Sequence, residues 1–234
     1  PATLTLHAGT GRKLAEFTNS TLCTHFGLSG PSVLDISRYW LDARRRDAAA
    51  TLSINWLPGQ TPEGIDEVLS PSGPRGAHSA ARVLGEWMPE RLARAVCEHA
   101  AVEPATPIRT LTREQRRTLG RAATAMVLPV TGDRGFTHAE VTAGGVPLSE
   151  IRLETMESRI CPGLHLCGEI CDVDGRIGGF NFQWAWASGY LAGCGAARGG
   201  AGPGRAPRAL APGVRGAPQP RYPAAMKALF HRAY

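Results

Sequence analysis

The apolar positions of the first sixty residues alternate rather than cluster. Thr3-Leu4-Thr5-Leu6-His7 repeats at period two, the signature of a strand with one buried face. Thr51-Leu52-Ser53-Ile54-Asn55-Trp56 alternates again and stops at Pro58. Between them, Ser29-Gly30-Pro31 has the chemistry of a helix start, with Ser29 or Gly30 as cap and Pro31 at the first helical position. Val33, Leu34 and Ile36 then give a short apolar face. Beyond Pro58-Gly59 the period changes. Val83, Leu84, Trp87 and Met88 recur at helical spacing, Pro89 ends that helix and opens the next, and Leu92 and Val96 continue it. Thr112-Arg113-Glu114-Gln115 fits a capping box ahead of a third helix, whose arginines predict a solvated face. Strand and turn return at Met126–Thr131 and Gly132–Gly135. Leu164-His165-Leu166-Cys167 then predicts a short strand, followed by a glycine-rich loop and a helix capped by Asn181.

These changes of period predict a mixed α/β chain in five parts: β-rich 1–58, helical 59–125, β-rich 126–158, a strand–loop–helix segment 159–197, and a tail 198–234. The tail holds six Gly and six Pro in 37 positions, a composition that predicts disorder. There is no internal repeat.

Charge looks informative until it is divided. The 234 residues carry a net +6, but residues 198–234 hold seven basic residues and no Asp or Glu, which leaves residues 1–197 at −1. A basic groove across the body is not supported, so no specific nucleic-acid partner is expected. No apolar run approaches the roughly 18 residues that span a bilayer, so no membrane partner is expected either. The chain starts at Pro1 on a strand-like pattern, with no secretory signal, and is expected to begin inside a longer protein. Six cysteines without CxxC pairs then predict reduced thiols and a cytoplasmic location. The sequon Asn19-Ser20-Thr21 carries no weight in that setting.

The chemistry concentrates between Gly163 and Gly193. Glu169, Asp172 and Asp174 share a loop with Gly168, Gly175, Gly178 and Gly179, ahead of a helix that spaces Ala185, Ser188, Gly189 and Ala192 by three and four. Backbone N–H groups at Gly179–Phe182 would meet an acceptor, aided by the positive end of the helix dipole. Carboxylates on the same loop disfavour phosphate and suit hydroxyl donors. A polyol joined to a carbonyl-bearing ring satisfies both, as in a flavin. A solvated acidic turn would use the same residues.

The stretch Gly163–Gly175, followed by Gly178-Gly179-Phe180-Asn181-Phe182-Gln183-Trp184-Ala185, resembles the C-terminal FAD motif of the BaiN/YhiN-like flavoproteins, bacterial FAD-dependent, NAD(P)-linked oxidoreductases. Thr24-His25-Phe26-Gly27-Leu28-Ser29-Gly30-Pro31 and the stretch Val130–Val146 resemble that family too, in its order. The resemblance implies a Rossmann-like FAD domain of which this chain is the C-terminal part, with an inserted β-rich domain and a nested helical domain. It implies that Glu169 accepts from a ribityl hydroxyl with Asp172 nearby. Gly178, Gly179, Asn181 and Phe182 would meet the pyrimidine edge of the ring, and Ala143, Gly144 and Gly145 would leave room for it. Asp174 is implied less strongly. The implied reaction moves hydride from NAD(P)H through flavin to a small organic substrate. One feature departs from the family: no Gly-x-Gly-x-x-Gly occurs anywhere in the 234 residues, so nothing here cradles a pyrophosphate. The partner implied is a missing N-terminal half of the same protein. The competing reading is a truncated, non-enzymatic remnant that binds no FAD, with a basic tail for weak interactions.

Other constellations are weaker. Cys161, His165, Cys167 and Cys171 do not have zinc-site spacing, so no metal is expected. His25 is the candidate catalytic acid or base, because histidine titrates near neutrality. Arg134 and His138 are further candidates near a glycine-rich turn, where Arg134 would attract an acidic substrate or a nicotinamide phosphate; a solvated turn residue is the equal alternative. Ser29 lacks the Gly-x-Ser-x-Gly frame of a nucleophile elbow. Trp184 and Trp186 are read as packing.

Overall fold

The computed structural model describes residues 1–73 and 75–199. The chain is mixed α/β and divides into two compact units, Pro1–Gly144 with Val173–Gln183, and Gly145–Asp172 with the chain from Trp184 onward.

The first unit is built on an antiparallel sheet of order β2-β1-β5-β6, from Lys13–Asn19, Ala2–His7, Thr51–Asn55 and Met126–Val127. The alternation read from sequence is physical: Ala2, Leu4 and Leu6 of β1 are buried, and Leu4 faces Ile54 across the ladder. One face of the sheet is covered by α1, Pro31–Arg46, which buries Ile36, Trp40 and Ala43. The apolar face expected at Val33, Leu34 and Ile36 thus opens a helix of 16 residues rather than a short one. Gly30 is the N-cap, with φ 96°, and Pro31 follows in the first turn. Ser29 instead ends β4, Gly27–Ser29, which pairs with β3, Leu22–Thr24.

The helical stretch belongs to the same unit. It contains α2 (Pro62–Val68), α3 (Ala80–Leu84), α4 (Glu90–His99) and α5 (Arg113–Thr124) around Ile65, Leu69, Val83, Leu84, Val96, Ile108 and Leu119. The capping box of α5 is complete: Thr112 Oγ1 accepts from Gln115 N–H at 3.2 Å and Gln115 Oε1 accepts from Thr112 N–H at 2.9 Å. Trp56 and Met126 pack against both this core and the sheet core. The expected helix through Trp87 stops at Leu84, and Pro89 is the N-cap of α4.

The second unit begins with a hairpin of β7 (Ile151–Arg152) and β8 (Glu157–Ser158). The strand expected at Leu164–Cys167 is not formed as one. It is extended chain joined to β8 by a single antiparallel bridge between Glu157 and His165, flanked by Leu166 N–H to Met156 C=O at 2.9 Å. Four residues without alternating burial cannot recruit a ladder. The last element is α6, Phe180–Gly199. It includes residues 198 and 199, which the sequence reading assigned to a disordered tail; residues 200–234 lie outside the described residues. Among the described residues no helix is long and apolar enough to cross a membrane.

Close packing of α2 and α5 makes one glycine diagnostic. A Cβ at Gly120 would lie 2.7 Å from the Pro62 carbonyl oxygen. Gly→Ala inside a helix ordinarily stabilises by about 1 kcal/mol. Here Gly120→Ala is expected to destabilise by about 1–3 kcal/mol, because backbone must move to admit the methyl. Urea unfolding of the chain measures the sign directly.

Candidate functional site

The acidic, glycine-rich stretch is divided between the two units, and each part is held by polar anchors of its own unit. In the first unit the anchor is Asp35, on the inner face of α1 with a side chain only 3% exposed. Its Oδ1 accepts the Ile177 N–H at 2.8 Å and its Oδ2 lies 3.5 Å from Arg176 Nε. A buried carboxylate is tolerated because these donors compensate the lost hydration. Arg176 also lies over Phe17 of β2, 5.3 Å from the ring centroid. Arg38, one turn beyond Asp35, pairs with Asp174. Asp174 therefore ties the loop to the helix.

Asn181 does not cap α6. The helix begins at Phe180, and the Asn181 side chain turns back to clamp the loop. Its Oδ1 accepts the Gly175 N–H at 2.7 Å and its Nδ2 donates to the Gly175 carbonyl at 3.0 Å. Both polar groups of one peptide residue are thereby satisfied by one amide. Gly178 and Gly179 carry the chain into the helix at φ 122° and 90°, values that favour glycine. The helical ladder opens with Gln183 N–H donating to Gly179 C=O at 3.0 Å, so the N–H groups of Phe180, Asn181 and Phe182 precede it. Space around Gly179 is open: a Cβ there would meet nothing within 4 Å.

In the second unit the anchor is the pair Trp184 and Ser188. Gly168 N–H donates to Ser188 Oγ at 2.9 Å, and Gly168 C=O accepts from Trp184 Nε1 at 2.9 Å. Gly168 stands at φ 74°, so this double clamp fixes the step that presents Glu169, which is exposed. Trp184 is thus a polar anchor as well as packing. Asp172 is also exposed, with its N–H donated to Val146 C=O at 2.8 Å, while Val146 N–H donates to Ile170 C=O at 2.8 Å. These two bonds make the isolated parallel bridge between Val146 and Cys171. The small-residue stripe of α6 does allow close approach, but at Gly195, where a Cβ would lie 2.4 Å from the Thr155 carbonyl. Gly189 has nothing within 4 Å of such a Cβ.

The three residues Ala143, Gly144 and Gly145 separate. Gly144, at φ 94°, has open space where a Cβ would be. Gly145 does not: a Cβ would lie 2.5 Å from the Ile170 carbonyl, so its glycine is explained by backbone packing.

The remaining candidates lie elsewhere. His25 is exposed in the β3–β4 turn and meets the Phe26 ring edge to face at 5.2 Å. Arg134 lies over the same Phe26 ring, 4.2 Å from its centroid, and contacts His138. Among the described residues no group of His, Cys, Asp and Glu could hold a metal. His165 Nδ1 donates to Thr155 C=O at 2.8 Å, a structural role. All six cysteines are free. Burial pushes the Cys97 thiol up to about 11 and raises that of Cys171, so both are kept as protonated, small apolar groups.

Sequence reasoning missed Asp35. It is a lone acid on the buried face of an amphipathic helix, and that oddity was the available signal. Its partner Ile177 is 142 residues away.

With this geometry in place, comparison with known proteins becomes informative. The sequence matches the family described as HI0933-like protein Rossmann domain over residues 10–195. It is 35% identical over 193 residues to the ribosomal RNA dihydrouridine synthase of Escherichia coli, covering 81% of this chain and 44% of that protein. A similar match, 33% over 190 residues, is to the ribosomal RNA dihydrouridine synthase of Haemophilus influenzae. The 3-dehydro-bile acid delta(4,6)-reductase of Clostridium scindens is 33% identical over 185 residues, 79% of this chain and 45% of that protein. The chain spans less than half the length of these relatives.

The Asn181 clamp makes a local prediction. Asn181→Ala removes both bonds to Gly175 and should cost about 1–3 kcal/mol of loop stability. Amide hydrogen exchange at Gly175–Gly179 should accelerate by about ten- to hundred-fold, with β1 and β5 unchanged. Unchanged exchange would remove Asn181 from this role.

Proposed function

The chain belongs to the HI0933-like Rossmann domain family, and from that premise we propose that it is the C-terminal part of an FAD-dependent oxidoreductase. In this reading the Rossmann-like FAD domain is interrupted by a β-rich part, itself interrupted by the helical stretch. The observation that carries it is the Gly178–Gly179 entry to α6: a positive-φ turn, pinned by Asp35 and Asn181, with open space where a side chain at Gly179 would stand. Such a turn aims backbone donors at a carbonyl-bearing ring without a side chain in the way.

FAD, when bound, would take hydride from NAD(P)H and pass it to the organic acceptor. Glu169, fixed by the Gly168 clamp, would accept from a ribityl hydroxyl, with Asp172 as a further acceptor. The N–H groups at Gly179–Phe182 would donate to the pyrimidine carbonyls of the ring. Ala143 and Gly144 would leave room for the ring, and Gly145 would position the loop that bears them. His25 remains the candidate acid or base. Because the 234 residues hold no Gly-x-Gly-x-x-Gly, the pyrophosphate cradle would come from the rest of the parent protein.

The relatives' names suggest the acceptor class. One is named for dihydrouridine and another for reducing a delta(4,6) 3-dehydro-bile acid. Uridine and a 3-dehydro-delta(4,6) steroid share a carbon–carbon double bond conjugated to a carbonyl. Reduction of such an enone-like bond is the proposed reaction.

In the intact parent, Glu169→Ala is expected to weaken FAD binding by about ten- to hundred-fold. One lost bond to a charged group costs about 1.5–3 kcal/mol. Flavin fluorescence titration measures it. The isolated chain should purify colourless or hold flavin only weakly. Stoichiometric yellow chain would refute the shared-site reading. An intact parent that stays colourless with added FAD would favour the non-enzymatic remnant.

A further inference from the structure

We propose that Arg134 and His138 form an oxyanion-binding site that grips the acidic group of the substrate on the surface beside Phe26. Calling the ligand a substrate rests on the oxidoreductase reading; the site itself rests on four geometric facts.

First, Arg134 is fixed by partners that do not neutralise it. Arg38, Arg116 and Arg152 each pair with a carboxylate, on Asp174, Asp66 and Glu157 respectively. The Arg134 guanidinium instead lies over Phe26, 4.2 Å from the ring centroid, and its Nη2 lies 2.7 Å from His138 Nε2. Second, the neighbouring acid is engaged by backbone: Asp133 Oδ1 accepts the Gly135 N–H at 2.5 Å. Third, His138 holds Arg134 from the side: a guanidinium only donates, so Nε2 accepts from it. On the other side of the ring Nδ1 lies 3.2 Å from the Arg134 carbonyl and 2.9 Å from the Thr137 hydroxyl. Fourth, the setting suits a ring-bearing ligand. Phe26 is 48% exposed and Phe136, on the same turn as His138, is 90% exposed.

A guanidinium lying over one ring keeps its other donors for a phosphate or carboxylate. Nη2 carries two N–H groups, so it can keep its contact with His138 Nε2 and donate to an anion at the same time. The shared anchor is then Arg134, with His138 holding it in place. The shared ligand chemistry is an oxyanion carried on an apolar or planar ring, which fits a nucleoside phosphate or a steroid carboxylate.

The test uses the full chain without flavin, so its outcome is independent of the FAD reading. Nitrogen NMR of the His138 imidazole, identified by its loss in His138→Gln, is followed during titration with uridine 5′-monophosphate, uridine and cholate. At least one of the two acids is expected to shift the His138 signals saturably, because an anion on Arg134 changes the field at the adjacent Nε2. Uridine should not. A response to the monophosphate alone identifies a phosphate-bearing substrate, and one to cholate alone a carboxylate-bearing one. Arg134→Gln should weaken the effective acid by at least about tenfold. Equal responses to uridine and its monophosphate, no response to either acid, or full binding by Arg134→Gln would each overturn the proposal.

Discussion

One buried carboxylate anchors the loop that leads into α6. Asp35 stands on the inner face of α1, where an apolar residue would pack more cheaply, and it is held there by the Ile177 N–H and by Arg176. Removing its partners would leave a charge buried without compensation, so loop and helix are obliged to move together. Asp174 with Arg38, and Arg176 over Phe17, fasten the same stretch to α1 and to β2. The Asn181 clamp closes the loop on itself at Gly175. Each of these contacts is polar and directional, so together they set one backbone path for Gly178 and Gly179 instead of merely burying area.

The second unit uses the same device with neutral groups. Both backbone atoms of Gly168 are taken by side chains of α6, one from Trp184 and one from Ser188. Ser188 Oγ also donates to the Trp184 carbonyl at 2.6 Å, so the hydroxyl is fully used. The result is that Glu169 follows a residue with no conformational freedom left. A helix with small residues on one stripe and polar anchors one turn apart can position a loop without large side chains between them, and the contact at Gly195 shows how near the backbones come.

Patterned elements were legible in the sequence. The strand Ala2–His7, its partner Thr51–Asn55, the Gly30-Pro31 helix start and the Thr112–Gln115 capping box all depend on residues close together in the chain, and local chemistry determines them. The stretch that would carry the cofactor was legible as a composition of glycine and acid. Its internal roles were not. Asn181 has the residue type of a cap, yet Gly179 already supplies the turn, which leaves the amide for Gly175. Asp174 pairs with Arg38, and a Cβ at Gly145 would meet the Ile170 carbonyl, contacts that composition does not show. The strand expected at Leu164–Cys167 needed a partner ladder that its neighbours do not provide. In each case the deciding contact is tertiary, and for Asp35 it crosses 142 positions.

Under the proposed FAD reading, the central claim is that Asp35, through Ile177 and Arg176, preorganises the loop ahead of α6 for the cofactor. The most direct measurement is the FAD dissociation constant of the intact parent carrying Asp35→Ala, alongside its circular dichroism and unfolding midpoint. The account predicts FAD binding weakened by at least about tenfold, from loss of a charged, buried hydrogen bond, while the protein remains folded. Unaltered FAD affinity in a folded Asp35→Ala protein would contradict it.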